Sequence, residues 1–339
     1  MLFIRTDGNH QIGTGHVMRC LSIADAFKKQ GGEVTFIVAD NNMEPIIRTR
    51  GHDLICLHSD WDNLAHESEK MISLIKTQSI KTLIIDSYFV SEPYLKALCD
   101  YTYVIYLDDL NAFHYPCHVL INYSCYADKF NYHDKYPDIE LLLGCKYTPL
   151  REEFLDLPRR ILRRNVKSVL ITTGGMDPYN TAGKLITRVK KNLILEHLEF
   201  HIVAGQFNPY IDELNRIQAE LNGIYVHTEV KSMSSLMIDC DIAVSAGGST
   251  MYELCACGTP TVAFSFADNQ LYGVECFGNG FMISAGDIRE DESRCLDRII
   301  EGIIKLVSDF ELRLEYTKRA QDLVDGKGAL RIAELLHMK

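Results

Sequence analysis

The chain repeats one unit: a short run that is apolar throughout, then a glycine or carboxylate turn, then a stretch with helical spacing. Residues 1–4 open this rhythm, and Val17, Leu21, Ala24 and Phe27 carry the helical spacing on to about Gln30. Strands are expected at residues 34–38, 54–57, 81–86 and 103–108. Helices are expected at 43–50, 62–78 and from an N-cap at Ser91 through Leu98. Residues 119–122 and 141–143 finish this half. Continuously apolar strands are buried on both faces, and their alternation with helices means a parallel sheet with helices on each side. Residues just past the carboxyl ends of such strands line the ligand crevice of these folds. That rule places Asp86, Tyr88, Asp108 and Asp109 near the turn that follows Ile4.

At 339 residues the chain exceeds the usual size of one core, and two domains are expected. The first spans 1–150. Residues 151–165 hold Pro158 and the arginines 159, 160, 163 and 164, and read as a solvated linker. The rhythm then restarts at 166–172 and runs to 308, with strands at 199–204, 224–227, 242–245 and 260–266. A helical segment, 309–339, closes the chain. The fold class is therefore α/β: two Rossmann-like parallel-sheet domains, expected to face one another across a ligand cleft.

Three glycine turns follow strands: Gly13/Gly15, Gly174/Gly175 and Gly247/Gly248. Glycine lets backbone come close to a ligand, and the helix start behind it aims N–H groups and a positive dipole end at an anion. The first turn is not Gly-x-Gly-x-x-Gly, because Met18 holds the third glycine position, and no Gly-Lys-Ser/Thr follows. His16 sits where that turn becomes helix, so its ring is either a ligand-facing group or a hydrogen-bonded turn histidine. His10 reads as a loop surface residue. In the third turn Ser249 and Thr250 can cap a helix, and Glu253 is placed near its first turn, where a carboxylate suits the two hydroxyls of a ribose.

A net charge of -11 gives no electrostatic reason to expect nucleic acid or anionic lipid as partner. Eleven scattered cysteines form no disulfide framework, and Cys255-Ala-Cys257 is not a Cys-x-x-Cys motif. With no signal-peptide pattern and no apolar run long enough for a bilayer, a reducing, cytoplasmic setting without membrane insertion is expected. His-Glu-x-x-His, Gly-x-Ser-x-Gly and metal-ligand spacings are missing from the sequence, so no cofactor and no metal is expected. Oligomeric state has no sequence signal here.

Taken together, Gln11-Ile-Gly-Thr-Gly-His-Val-Met-Arg19, Ile84-Ile-Asp-Ser-Tyr88, Leu107-Asp-Asp109, Leu150-Arg-Glu-Glu-Phe154, Gly174-Gly-Met-Asp177, Ser245-Ala-Gly-Gly-Ser-Thr-Met-Tyr-Glu253 and Asn269-Gln270 resemble one family over nearly the whole chain. It is the UDP-2,4-diacetamido-2,4,6-trideoxy-β-L-altropyranose hydrolase family of pseudaminic acid biosynthesis, itself similar in fold to the MurG-type GT-B glycosyltransferases. The resemblance implies an enzyme that releases UDP and free sugar, with water as nucleophile, inversion at the anomeric carbon and His16 as base. It implies Gly13 and Gly15 near the pyrophosphate and Gly247, Gly248 and Ser249 on phosphate. Glu253 falls on ribose, Asn269 and Gln270 beside the sugar, and Asp86 and Tyr88 at sugar-side positions; Gly174 and Gly175 complete the set. Uracil contacts are implied to be largely backbone, before the helix at Ser232. The pathway implied is nonulosonate synthesis of the kind that serves flagellin glycosylation. Two other readings share the nucleotide site: a GT-B glycosyltransferase passing the sugar to an acceptor, and a noncatalytic nucleotide-sugar sensor. Asp108 and Asp109 stay open between orienting His16, binding sugar amides, and capping.

Overall fold

The computed structural model describes residues 1–205 and 207–338. The chain divides into two compact units, one of Met1–Glu152 with Gly326–Lys339 and one of Glu153–Asp325.

Unit 1 holds a seven-stranded sheet in the order β3-β2-β1-β4-β5-β6-β7. Its strands are β1 (Leu2–Thr6), β2 (Val34–Val38), β3 (Asp53–Cys56), β4 (Thr82–Asp86), β5 (Tyr103–Leu107), β6 (Val119–Asn122) and β7 (Glu140–Leu143), and every pairing is parallel. Both faces are covered, which is why the runs are apolar without alternation. Leu2 and Ile4 pack with Val17, Leu21 and Phe27 of helix Gly15–Lys29, while Phe3 joins Met71, Leu83, Leu95 and Leu98 on the other face. Arg5 shares that second face and is fully buried. Its guanidinium donates to both oxygens of the buried Glu67 (2.7 and 2.9 Å) and to Asp7 (2.5 Å), and such pairing is what makes a buried charge tolerable. Ser91 caps helix Glu92–Cys99 as expected, its hydroxyl accepting from Tyr94 N at 3.4 Å.

Unit 2 holds a six-stranded parallel sheet in the order β10-β9-β8-β11-β12-β13. The strands are β8 (Ser168–Thr172), β9 (Glu199–Val203), β10 (Ile224–His227), β11 (Ile242–Ala246), β12 (Thr261–Ser265) and β13 (Ile283–Asp287). The order reverses between β1 and β4 in unit 1 and between β8 and β11 in unit 2. Each reversal opens a crevice at the carboxyl ends of that strand pair.

The junction and the C-terminal segment refine the expected organisation. The segment 151–165 spans the boundary between the units and keeps Arg159, Ile161, Arg163 and Arg164 exposed, while Arg160 donates to Met237 O (3.0 Å), Thr259 Oγ1 (2.9 Å) and Cys240 O, and Arg163 reaches Asp241 at 3.2 Å. Helix-end and loop carbonyls there lack ladder partners, and the guanidinium donors satisfy them. The segment 309–339 is divided rather than single. Helix Phe310–Leu323 stays in unit 2, the chain turns at Gly326 (φ +74°), and helix Gly328–His337 buries Ala329, Ile332, Ala333 and Leu336 in the unit 1 core.

Candidate active site

The strand reversal of unit 1 brings together residues far apart in sequence. Thr6 pairs with Asp86 across β1 and β4, so the turn after β1 and the carboxylate ending β4 are neighbours. Asn9 shapes that turn: its Oδ1 accepts from Gln11 N (2.8 Å) and Ile12 N (3.1 Å), while its N–H donates to Gly13 O (3.1 Å). Gly13 takes a left-handed φ of +72°, and a side chain at either Gly13 or Gly15 would meet open space. The helix then starts at Gly15, which puts His16 in its first turn, 6% exposed.

His16 Nδ1 lies 2.6 Å from Asp86 Oδ1. Arg19 Nη2 also lies 2.9 Å from Nδ1; in the tautomer whose Nδ1–H donates to the carboxylate, the lone pair is on Nε2. Arg19, one turn along the same helix, grips Asp86 side-on, Nε to Oδ2 at 2.6 Å and Nη2 to Oδ1 at 2.5 Å. The Cys20 thiol adds a donor at 3.4 Å to Oδ2. Burial pushes the Asp86 carboxyl up, but the Arg19 guanidinium and the His16 ring outweigh it and hold the group well below the usual carboxylate range. Burial, with Asp86 next, pushes the Cys20 thiol well up, so it remains a donor. Arg19 Nη1 continues to Asp109 Oδ2 (3.0 Å) and to the Tyr123 hydroxyl (2.8 Å). The Tyr88 hydroxyl donates to the same Asp109 oxygen at 3.1 Å, and its ring stands edge-on to His16, 4.4 Å between centroids.

This geometry sorts the four strand-end residues. Asp86, expected on the sugar side, lies 1% exposed beneath His16 with both oxygens engaged. Asp108 faces away from the histidine: it caps the next turn, accepting from Leu110 N (2.9 Å), Asn111 N (3.0 Å) and the Tyr132 hydroxyl. Asp109 meets the cluster through Arg19 and Tyr88. Arg19 and Tyr123 were not singled out from the sequence. The i to i+3 spacing of His16 and Arg19 was the available signal for the first, whereas Tyr123 offered none.

Unit 2 separates its glycine turns by what already occupies them. After β8, Gly174 is left-handed (φ +78°), but the helix Thr181–Val189 behind it is filled by Asp177, 1% exposed, which accepts from Thr181 N (2.8 Å) and Ala182 N (3.0 Å). At the helix starting with Met233, Glu153 Oε2 accepts from Ser234 N (3.0 Å) and from the Ser232 hydroxyl (3.0 Å). Helix Ser249–Cys257, after β11, has no side-chain cap. Its N-cap is Gly248, at φ +150° and ψ -167°, a conformation essentially restricted to glycine, and a Cβ there would meet open space. Gly248 and Ser249 are exposed.

The Gly247 N–H is not free, since it donates to Phe264 O at 2.7 Å. Its missing side chain makes room instead for Gln270, whose Cβ would lie 2.7 Å from an added Cβ. Gln270 itself accepts from Phe266 N at 2.9 Å, so part of its amide closes its own turn, while Asn269 is exposed. Glu253 lies half-buried four residues past Ser249, where the first turn of that helix passes into the second. Among the described residues no group of three or more His, Cys, Asp or Glu is arranged to hold a metal ion, and no helix is long and apolar enough to cross a membrane.

With two parallel α/β sheets, each reversing beside a glycine turn, the fold is that of the GT-B glycosyltransferases and related epimerases. The MurG structure from Acinetobacter baumannii matches with a TM-score of 0.70 at 12% identity, over 100% of this chain and 99% of that one. The UDP-GlcNAc 2-epimerase of Neisseria meningitidis bound to UDP-GlcNAc matches at 0.65 and 12% identity, over 100% of both chains. At these identities the likeness is one of fold.

In sequence the chain is 29% identical over 276 residues to the uncharacterized protein MJ1062 of Methanocaldococcus jannaschii, covering 76% of this chain and 54%, about half, of that protein. It is 22% identical over 346 residues to the spore coat polysaccharide biosynthesis protein SpsG of Bacillus subtilis, covering 98% and 96%. The UDP-2,4-diacetamido-2,4,6-trideoxy-beta-L-altropyranose hydrolase of Campylobacter jejuni is 24% identical over 274 residues, covering 79% and 93%. No family model matches the chain.

Proposed function

We propose that this chain hydrolyses a UDP-linked diacetamido-trideoxy sugar, releasing UDP and the free sugar. The observation that carries the reading is the His16–Asp86 pair at the unit 1 strand reversal. Asp86 fixes the tautomer and orientation of the ring and stabilises the imidazolium that forms, so Nε2 is left to take the proton of an attacking water. Arg19 keeps Asp86 ionised for that task. Water adding to the anomeric carbon opposite the leaving UDP inverts its configuration.

The leaving diphosphate carries away the bond pair as negative charge. Unit 2 supplies the group for it: the first N–H donors of helix Ser249–Cys257 behind Gly248, a start with no side-chain cap. In this reading Glu253 contacts ribose, and Asn269 and Tyr88 contact the sugar. The likeness to the Campylobacter hydrolase supports the substrate class, and the UDP-GlcNAc-bound epimerase of the same fold supports a UDP-sugar.

The test is incubation with purified UDP-diacetamido-trideoxyhexose and no acceptor, followed by NMR. UDP release with an inverted free sugar is expected. Tight UDP binding without release would instead favour a transferase that needs an acceptor hydroxyl.

A further inference from the structure

We propose that Asp109 is a positioning residue for this reaction, acting on His16 through two neighbours without touching it. The proposal rests on the hydrolase reading only for its kinetic arm. Asp109 Oδ2 receives two donors, Arg19 Nη1 at 3.0 Å and the Tyr88 hydroxyl at 3.1 Å. Arg19 leads on to Asp86 and so to Nδ1 of His16, while the Tyr88 ring packs edge-on against the imidazole. The contacts close a ring: His16, Asp86, Arg19, Asp109, Tyr88 and back to His16. Two routes from one carboxylate oxygen therefore converge on the same side chain.

Asp109 is not kept there as a loop cap. That work belongs to Asp108, which holds Leu110 N and Asn111 N. Asp109 instead has its Oδ1 buried with no hydrogen-bond partner, a costly state for a carboxylate oxygen. That cost is set against the pairing of Oδ2 with Arg19 and Tyr88, the two groups that lead to His16. What the charge does serve is balance. Arg19 faces two carboxylates, and the second lessens the penalty of a positive imidazolium beside the guanidinium.

The groups that face His16 are Asp86 and Arg19 beneath it and Tyr88 at its edge, with Cys20, Asp109 and Tyr123 one contact further. Of these, Asp109→Asn changes only the Asp109 charge. Losing the charge loosens both Arg19 and Tyr88, so the ring-nitrogen NMR signals of His16 on the full chain are expected to change from a single tautomer to a mixture. In the same variant kcat is expected to fall about tenfold with UDP affinity retained. Tyr88→Phe, which keeps the carboxylate, is expected to lose kcat to a similar degree. The double variant should lose less than the two single losses combined, since both variants act on the Tyr88–Asp109 contact.

Unchanged His16 ring-nitrogen signals in Asp109→Asn, or fully additive losses in the double variant, would overturn the positioning role. Changed ring signals in a protein that never releases UDP, even as wild type, would remove the hydrolase reading and leave the positioning role standing.

Discussion

Both units carry a glycine turn at the strand reversal, after β1 in unit 1 and after β11 in unit 2, and build opposite chemistry around it. In unit 1 the turn after β1 feeds a helix whose first residues join a dense set of paired charges: His16, Arg19, Asp86 and Asp109. In unit 2 the turn after β11 feeds a helix whose start carries no charge and no cap, only Gly248 in a strained conformation with open space before it. A strand reversal supplies a crevice, and the side chains decide its use. Charges fixed by one another suit proton handling, because little reorganisation is needed when the imidazolium forms. Bare N–H groups suit an anion that arrives and leaves. The other unit 2 helix starts make the contrast sharper, since Asp177 and Glu153 already fill them.

The largest effect expected is that of His16→Asn. Turnover should fall about a thousandfold while UDP affinity, measured by calorimetry, is unchanged. Normal turnover in this variant would erase the difference between the units, since unit 1 would then have no proton to handle. Asp86→Asn comes next. It should keep the fold but release the tautomer and weaken the imidazolium, lowering kcat about a hundredfold with little change in KM. Asp86→Ala is a different experiment: it removes the two-pronged partner of the buried Arg19 guanidinium, leaving Asp109 as its carboxylate, and should cost about 3 kcal/mol of unfolding free energy by urea titration.

How far this contrast could be read from sequence varies by residue. The parallel sheets were legible because strands such as Thr82–Asp86 run Leu-Ile-Ile through the middle without alternation, as doubly covered strands do. β13 and the helix Leu271–Gly278 escaped notice: Ser284 and Gly286 dilute the strand, whose pairing also slips beside Ala263 and Phe264. The positions of His16 and of the glycine turns were legible, since a strand-to-helix turn is a local pattern. The partner of His16 was not. Asp86, Asp108 and Asp109 all end strands, and only the register of β1 against β4 selects Asp86. Nor could sequence show that Gly247 serves packing while Gly248 faces open space, because adjacent glycines look alike until the neighbouring atoms are known.

On the unit 2 side, Gly248→Ala tests the anion cradle. Forcing an alanine into a φ of +150° should cost on the order of 1–3 kcal/mol and weaken UDP binding about tenfold, while kcat on saturating substrate changes less. Gly174→Ala is the control. It strains a left-handed residue too, but the helix behind it already holds Asp177, so UDP affinity should move by less than about threefold. Equal losses in the two variants would remove the distinction between an occupied and an open helix start. Glu253→Ala should weaken UDP binding several-fold with kcat retained.

The smallest effect is on stability against acid, and it separates two carboxylates of unit 1. Asp86 is held below the ordinary value of about 3.9, so its stabilising contribution is complete above that pH and is lost only as pH falls through its lower folded value. Asp108 is the reverse case. Burial raises it against its hydrogen bonds from Tyr132 and the turn, so its ionised form costs stability at neutral pH, and acid relieves that cost as pH falls through the raised value. Urea unfolding of the wild type and Asp86→Asn should therefore differ by a constant amount from pH 7 down to about 4, with the gap closing only below that. For Asp108→Asn the difference from wild type should begin to change at a higher pH, because that carboxyl takes up its proton first. A gap for Asp86→Asn that closes above pH 5 would mean that Arg19 does not hold the carboxylate ionised, and the charged turn of unit 1 would lose the feature that sets it apart from the bare one of unit 2.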